Sequence, residues 1–158
     1  MGSAPGSTFV ALAALAVVAL AGCSSDPAQD AVADAVDASK QVTAFCDAAR
    51  ANIEAAKPLA ALSAKGPAPH AADEVEAALA PLRDSNQEML DAAPAAVRPD
   101  AELAFALAGL QIDIYQRTGG DAAAVSADPT YAAKVQEADP ALKRLQGYLR
   151  NACGVDGG

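Results

Sequence analysis

Apolar residues recur at helical spacing in four stretches of the chain, each bounded by proline or glycine. Val42, Phe45, Cys46, Ala49, Ile53 and Ala56 step by three and four along one helix face. Pro58 kinks or ends that helix, and Leu59 and Leu62 carry its apolar edge onward. The run Lys65-Gly66-Pro67-Ala68-Pro69-His70 is a firm break. Asp73, Glu74 and Glu76 then stand where negative charge favours a helix start. Val75, Leu79, Leu82, Met89 and Leu90 form the next face, which Pro81 interrupts and Pro94 closes.

The third stretch opens on Pro99, with Asp100 and Glu102 in its first turn. Leu103, Leu107, Leu110 and Ile114 follow on one face. Arg117 is placed to meet the last carbonyls, and Gly119 supplies a left-handed cap. Asp128-Pro129 and Asp139-Pro140 each read as an N-cap followed by a first helical residue, so the fourth stretch is two helices or one kinked helix. Leu142, Leu145, Leu149 and Ala152 define its buried face, with Tyr148 on the border. Gly154 and Val155 read as a Schellman stop. Short connections make neighbouring helices antiparallel, so the spacing predicts an all-α fold, a four-helix up-down bundle with the last helix kinked or split.

Composition narrows the class. The 158 residues include 44 alanines and no tryptophan, and only 4% are aromatic, which favours helix over sheet. A net charge of -9 and a pI near 4.4 leave no basic stripe to neutralise phosphates, which argues against nucleic-acid binding.

The N-terminus carries an address. Phe9 to Ala21 is a 13-residue apolar run, shorter than the about 20 residues a membrane-spanning helix needs, and it fits the apolar core of a signal peptide. Residues 1–8 contain no Lys or Arg, so either the α-amino group is the sole positive charge there or translation starts upstream. Leu20-Ala21-Gly22-Cys23 follows directly and resembles the lipobox of bacterial lipoproteins. That resemblance implies cleavage between Gly22 and Cys23 and a diacylglyceryl thioether, with palmitate-type acyl chains, on Cys23. It divides the chain into a signal peptide over 1–22, an acylated cysteine with an acidic tether over 23–39, and a helical domain over 40–158. The tether carries Asp26, Asp30, Asp34 and Asp37; the Ala and Val between them allow a partly helical tether, which repulsion between Asp30 and Asp34 weakens.

Three cysteines in an exported chain leave two once Cys23 is acylated. On the oxidising side of a membrane, Cys46 and Cys153 are expected to pair. In an up-down bundle the start of the first helix lies beside the end of the fourth, so bundle and disulfide support one another; two buried free thiols are the alternative. Two lone cysteines and one distant histidine are too few ligands for zinc. The stretches Phe45 to Arg50 and Tyr148 to Gly154 resemble small exported helical proteins of actinobacteria, mostly lipoproteins, a resemblance that brings no activity with it.

Candidate chemistry is sparse. His70 sits in the Pro-rich loop near Asp73 and Glu74, the setting of a solvated side chain rather than a general base. Ser63, Ser85 and Ser126 stand outside any nucleophile-elbow motif. Asp84, Glu88 and Asp91 form an acidic ridge that a solvated helix face explains. Tyr115 and Tyr148 belong at the edge of the core. Gly109, with Ala104, Ala106 and Ala108, suggests close approach of a neighbouring helix. No catalytic, cofactor or metal residue is assigned. The expected protein is a non-catalytic lipoprotein of the cell membrane. Its domain lies on the extracytoplasmic side and acts by contact with another envelope component. The alternative is a carrier or sensor for a small apolar ligand held between the helices.

Overall fold

The alanine-rich segments fold as six α-helices in the computed structural model, which describes residues 27–66 and 68–155. They are α1 (Pro27–Ala55), α2 (Lys57–Ala64), α3 (Ala72–Ala92), α4 (Arg98–Thr118), α5 (Ala122–Ala127) and α6 (Pro129–Tyr148). A π-helical turn, Leu149–Cys153, ends the series, and no strand occurs among the described residues. The signal peptide, the Gly22–Cys23 cleavage point and the Cys23 acylation site lie outside the described residues.

The chain ends its helices where its local chemistry says it should. Gly119 adopts φ +68° and its N–H donates to the Tyr115 carbonyl. A β-carbon at Gly119 would lie 2.8 Å from that of Pro69, so the close approach of the Pro-rich loop demands glycine there. His70 N–H donates to the Gly119 carbonyl at 2.8 Å and pins that loop to the end of α4. Asp121 and Asp128 cap α5 and α6, each accepting a backbone N–H through its carboxylate. Gly154 at φ +62° ends the π turn in the left-handed conformation, its N–H on the Arg150 carbonyl and that of Val155 on the Leu149 carbonyl, both at 3.2 Å, each bond reaching one residue further back than in the expected Schellman stop.

Two helix expectations fail, and one left open is decided. Pro81 does not interrupt α3, and Pro140 lies inside an unbroken α6 rather than starting a new helix. Both prolines and the residues four before them, Ala77 and Gln136, are exposed, so each carbonyl left without a donor is free to meet water. On the opposite side Leu79, and Ala138 with Ala141, are buried and keep each helix in place. The acidic tether is helical from Pro27 onward and continuous with α1. Alanine propensity and a proline at the first helical position outweigh an Asp30–Asp34 repulsion of about 0.2–0.5 kcal/mol.

The core has two centres. Phe45, Ala49, Met89, Ala93, Val97, Ala101 and Leu145 surround the disulfide end, while Leu62, Val75, Leu79, Ile112, Ile114, Tyr115 and Val125 fill the other. α1 packs on α3, α3 on α4 and α4 on α6; among the described residues α6 meets α1 at the disulfide end, through Tyr148 and the π turn that follows it. The side of α1 facing away from that turn is therefore uncovered, and Ile53, expected in the core, is 49% exposed. Ala152 is exposed where a buried position was expected, and Cys153 is buried instead. A π turn carries more residues per turn than an α-helix, so it rotates the inward position one residue along.

α4 and α6 are also tied by charge. The Arg144 guanidinium donates to both Asp100 oxygens at 2.6–3.2 Å, and the Asp100 side chain is only 14% exposed. Those hydrogen bonds hold the Asp100 carboxyl below its ordinary pKa, as the Lys65 ammonium does for Glu74. A depressed acid stabilises the fold above its unfolded pKa and stops doing so as pH falls through the folded value. Asp100→Asn is therefore expected to lower the melting temperature at pH 7 by a small margin that closes on acidification into and below the usual carboxylate range. Thermal melts at pH 7 and pH 2 check it, and a margin that persists at pH 2 contradicts the assignment.

Candidate functional site

The disulfide end brings together the residues that the sequence marked most clearly. Cys46 and Cys153, 107 residues apart, are bonded with their Cα atoms 5.1 Å apart, and both are buried. Arg50 holds the turn in place, donating to the Cys153 carbonyl at 3.1 Å and to Asp47 at 2.9 Å. Phe45 meets the half-buried Tyr148 edge to face, ring centres 5.9 Å apart. Beyond this end α1 runs on alone. Residues 34–41 are all exposed, about 12 Å of helix at 1.5 Å per residue.

A second feature is a groove between α3 and α4, with a volume near 370 Å³. Leu90, Phe105, Ala106 and Ile112 give it an apolar floor; Arg83 and Glu102 stand at its borders. Gly109 lies in it, and a β-carbon there would meet nothing within 4 Å. The sequence suggested that Gly109 admits a close neighbouring helix, and among the described residues no such neighbour stands over it. The Arg83 guanidinium donates to Glu76 at 3.0 Å, which raises its pKa further, and Gln116 donates to the other Glu76 oxygen at 3.0 Å. Gly109→Ala is expected to stabilise the fold by about 0.5–1 kcal/mol, since the methyl group fits and the unfolded chain loses freedom. A shift of the urea midpoint to higher concentration checks it; a lower midpoint means that the site is occupied by something the added methyl displaces.

The remaining candidates are dispersed. His70 is half buried in a depression it shares with Ser63, Gly120 and Asp121, yet the Ser63 hydroxyl donates to the Leu59 carbonyl and Asp121 is engaged as a helix cap. Asp84, Glu88 and Asp91 are all exposed along α3. Among the described residues no three of His, Cys, Asp and Glu stand together as metal ligands would. No described helix is long and apolar enough to cross a membrane. Tyr115, expected at the edge of the core, is buried in it.

Sequence reasoning missed one polar contact. Ser85 is buried, and Asn52 on α1 donates to its hydroxyl at 3.3 Å and to the Asn86 carbonyl oxygen at 2.8 Å. The available signal was Asn52 itself, a polar residue beside the Ala49 face. A buried hydrogen-bonded pair of this kind fixes which residues of α1 and α3 stand opposite one another.

Comparison of this chain with protein-family models, with curated proteins and with solved structures gives no match.

Proposed function

We propose that this protein is a lipid-anchored, non-catalytic helical module that works by contact with another component of the cell envelope. The observation that carries the reading is the free end of α1. The helix leaves the disulfide-bonded end of the domain and continues, exposed from residue 41 back to residue 34, toward Pro27, four residues after Cys23. A helix in that position serves as a semi-rigid spacer between an acylated Cys23 and the folded domain. In this reading α1, α3, α4 and α6 constitute the four-helix up-down arrangement, closed by the disulfide at the membrane-facing end and open along the α1–α6 side. With a net charge of -9 the domain stands off anionic headgroups and meets a neutral or basic partner. Two or more acyl chains are needed for firm attachment, because one myristoyl-length chain binds only marginally.

Fatty-acid labelling of cells producing the full chain tests the anchor. Wild type is expected to carry label and to fractionate with membranes, and Cys23→Ser to lose label and accumulate unprocessed precursor. Labelled Cys23→Ser overturns the assignment. A parallel His70→Ala variant that stays folded is expected to keep the cellular phenotype of the wild type; loss of that phenotype points instead to chemistry at the loop.

A further inference from the structure

We propose that the last turn of the chain is a redox switch. The Cys46–Cys153 bond holds the turn in its π form, and reduction by a dithiol lets it rewind to an α turn, which keeps Cys46 in the core and brings the Cys153 thiol out to solvent. Two observations meet at this turn. The first is a conflict of register. Leu145 is buried, and Ala152, seven residues or two α-helical turns further on, falls on the same face of a continued α-helix. Cys153 in that winding points about 100° away from Ala152. The structure shows the reverse, with Ala152 exposed and Cys153 buried, and the π winding of Leu149–Cys153 makes the difference. The second observation is the bond, which ends on buried Cys46 of α1 and so requires position 153 to face inward. α6 is α-helical from Pro129 to Tyr148, and the π winding is confined to the residues that carry Cys153 to its partner.

A π winding is the rarer and less favoured form of helix, so the turn keeps it only while the covalent bond demands it. Two thiols also need more room than one disulfide, and the side chains around Cys46, with Phe45, Ala49 and Met89 among them, are buried and close-packed. The turn is the side that is able to move, because residues 150–152 are exposed. Rewinding exchanges Cys153 for Ala152 at the inward position. Gly154 ends either winding, since its left-handed conformation carries no side-chain penalty. The Cys153 carbonyl lies near the helix axis and shifts less than the side chain, so the Arg50 guanidinium follows it. In the exchange itself, one thiolate of the dithiol attacks Sγ of Cys153, the cysteine borne on the exposed turn. The Cys46–Cys153 bond breaks as a mixed disulfide forms, and Cys46 leaves as a thiolate that takes up a proton. The second thiol then attacks the mixed disulfide, which frees Cys153 as a thiol and leaves the dithiol oxidised to its own disulfide, two electrons and two protons having passed to the protein. The switch stands independently of lipid anchoring at Cys23.

Pulsed thiol labelling of the full chain tests it. The native protein is reduced with dithiothreitol, freed of it without air and exposed briefly to a maleimide. Trypsin then places Cys23, Cys46 and Cys153 on separate peptides, because Lys40 and Arg50 lie between them. The Cys153 peptide is expected to label about tenfold or more faster than the Cys46 peptide. Equal rates overturn the proposal, since two slow thiols mean that the π turn persists and two fast ones that this end unfolds. Deleting Asn151 removes the extra residue, so that an ordinary α turn faces the cysteine inward. This variant should still form the bond, and its two thiols, once reduced, should label together at the slow rate of Cys46. A deletion variant that fails to oxidise, or whose second cysteine still labels fast, counts against the switch as firmly. Ala152→Gln gives a second measurement, because position 152 is exposed in the π form and inward in the α form. It should leave the urea midpoint of the oxidised protein in place and lower that of the reduced protein. A midpoint lowered equally in both states, or in neither, overturns the proposal.

Discussion

Replacing Cys46 or Cys153 by serine is expected to lower the stability of the protein by about 2 to 5 kcal/mol. The bond closes a loop of 107 residues, and the chain-entropy argument gives about 4.7 kcal/mol for a loop of roughly 100 residues. A local effect adds to this. The π turn joins α6 to α1 at this end, and Cys153 closes it, with the Arg50 guanidinium on its carbonyl. Without the disulfide the turn keeps that hydrogen bond, and α6 keeps the contact of Tyr148 with Phe45. The double variant should therefore cost about as much as either single one, because the second sulfur has nothing left to hold. Urea unfolding of the oxidised wild type, the two single variants and the double variant measures this. Wild type under reductant should fall to the level of the double variant. A loss below about 0.5 kcal/mol, the size of an ordinary surface substitution, contradicts the role assigned to the bond.

Phe45→Ala is expected to cost about 3–5 kcal/mol, whereas Ile53→Ala changes stability by no more than about 0.5 kcal/mol. The two residues are assigned to one face of α1 by their spacing, and packing separates them. Phe45 is fully buried among Met89, Ala93, Ala101 and Leu145 and stacks edge to face on Tyr148. Truncating it leaves a cavity beside the disulfide that its neighbours, held by three helices and a cross-link, are poorly able to fill. Ile53 is 49% exposed on the side of α1 that α6 does not cover, so little apolar surface is lost with it. Chemical denaturation of both variants decides the matter. Comparable losses would mean that α6 closes over α1 along its whole length in solution.

What was legible in the sequence is what acts over a few residues. Asp128 caps a helix because its carboxylate reaches a backbone N–H three residues on, and Gly119 and Gly154 end helices because glycine tolerates the left-handed conformation at low cost. The Cys46–Cys153 pairing was legible too, since with Cys23 set aside as the expected acylation site the two remaining cysteines have one partner each. Other features depend on which faces find a neighbour. Pro81 and Pro140 read as breaks, yet both helices continue, because each proline faces water while apolar residues on the opposite side are packed. Ile53 and Ala152 follow the periodicity of their helices and are nonetheless exposed, one beside the gap between α1 and α6, the other rotated outward by a π turn. Gly109 read as a point of close contact and lies instead in an open groove. The spacing of apolar residues records which side of a helix is able to be buried; whether another helix arrives there is decided by the crossing angles and loop lengths of the folded chain.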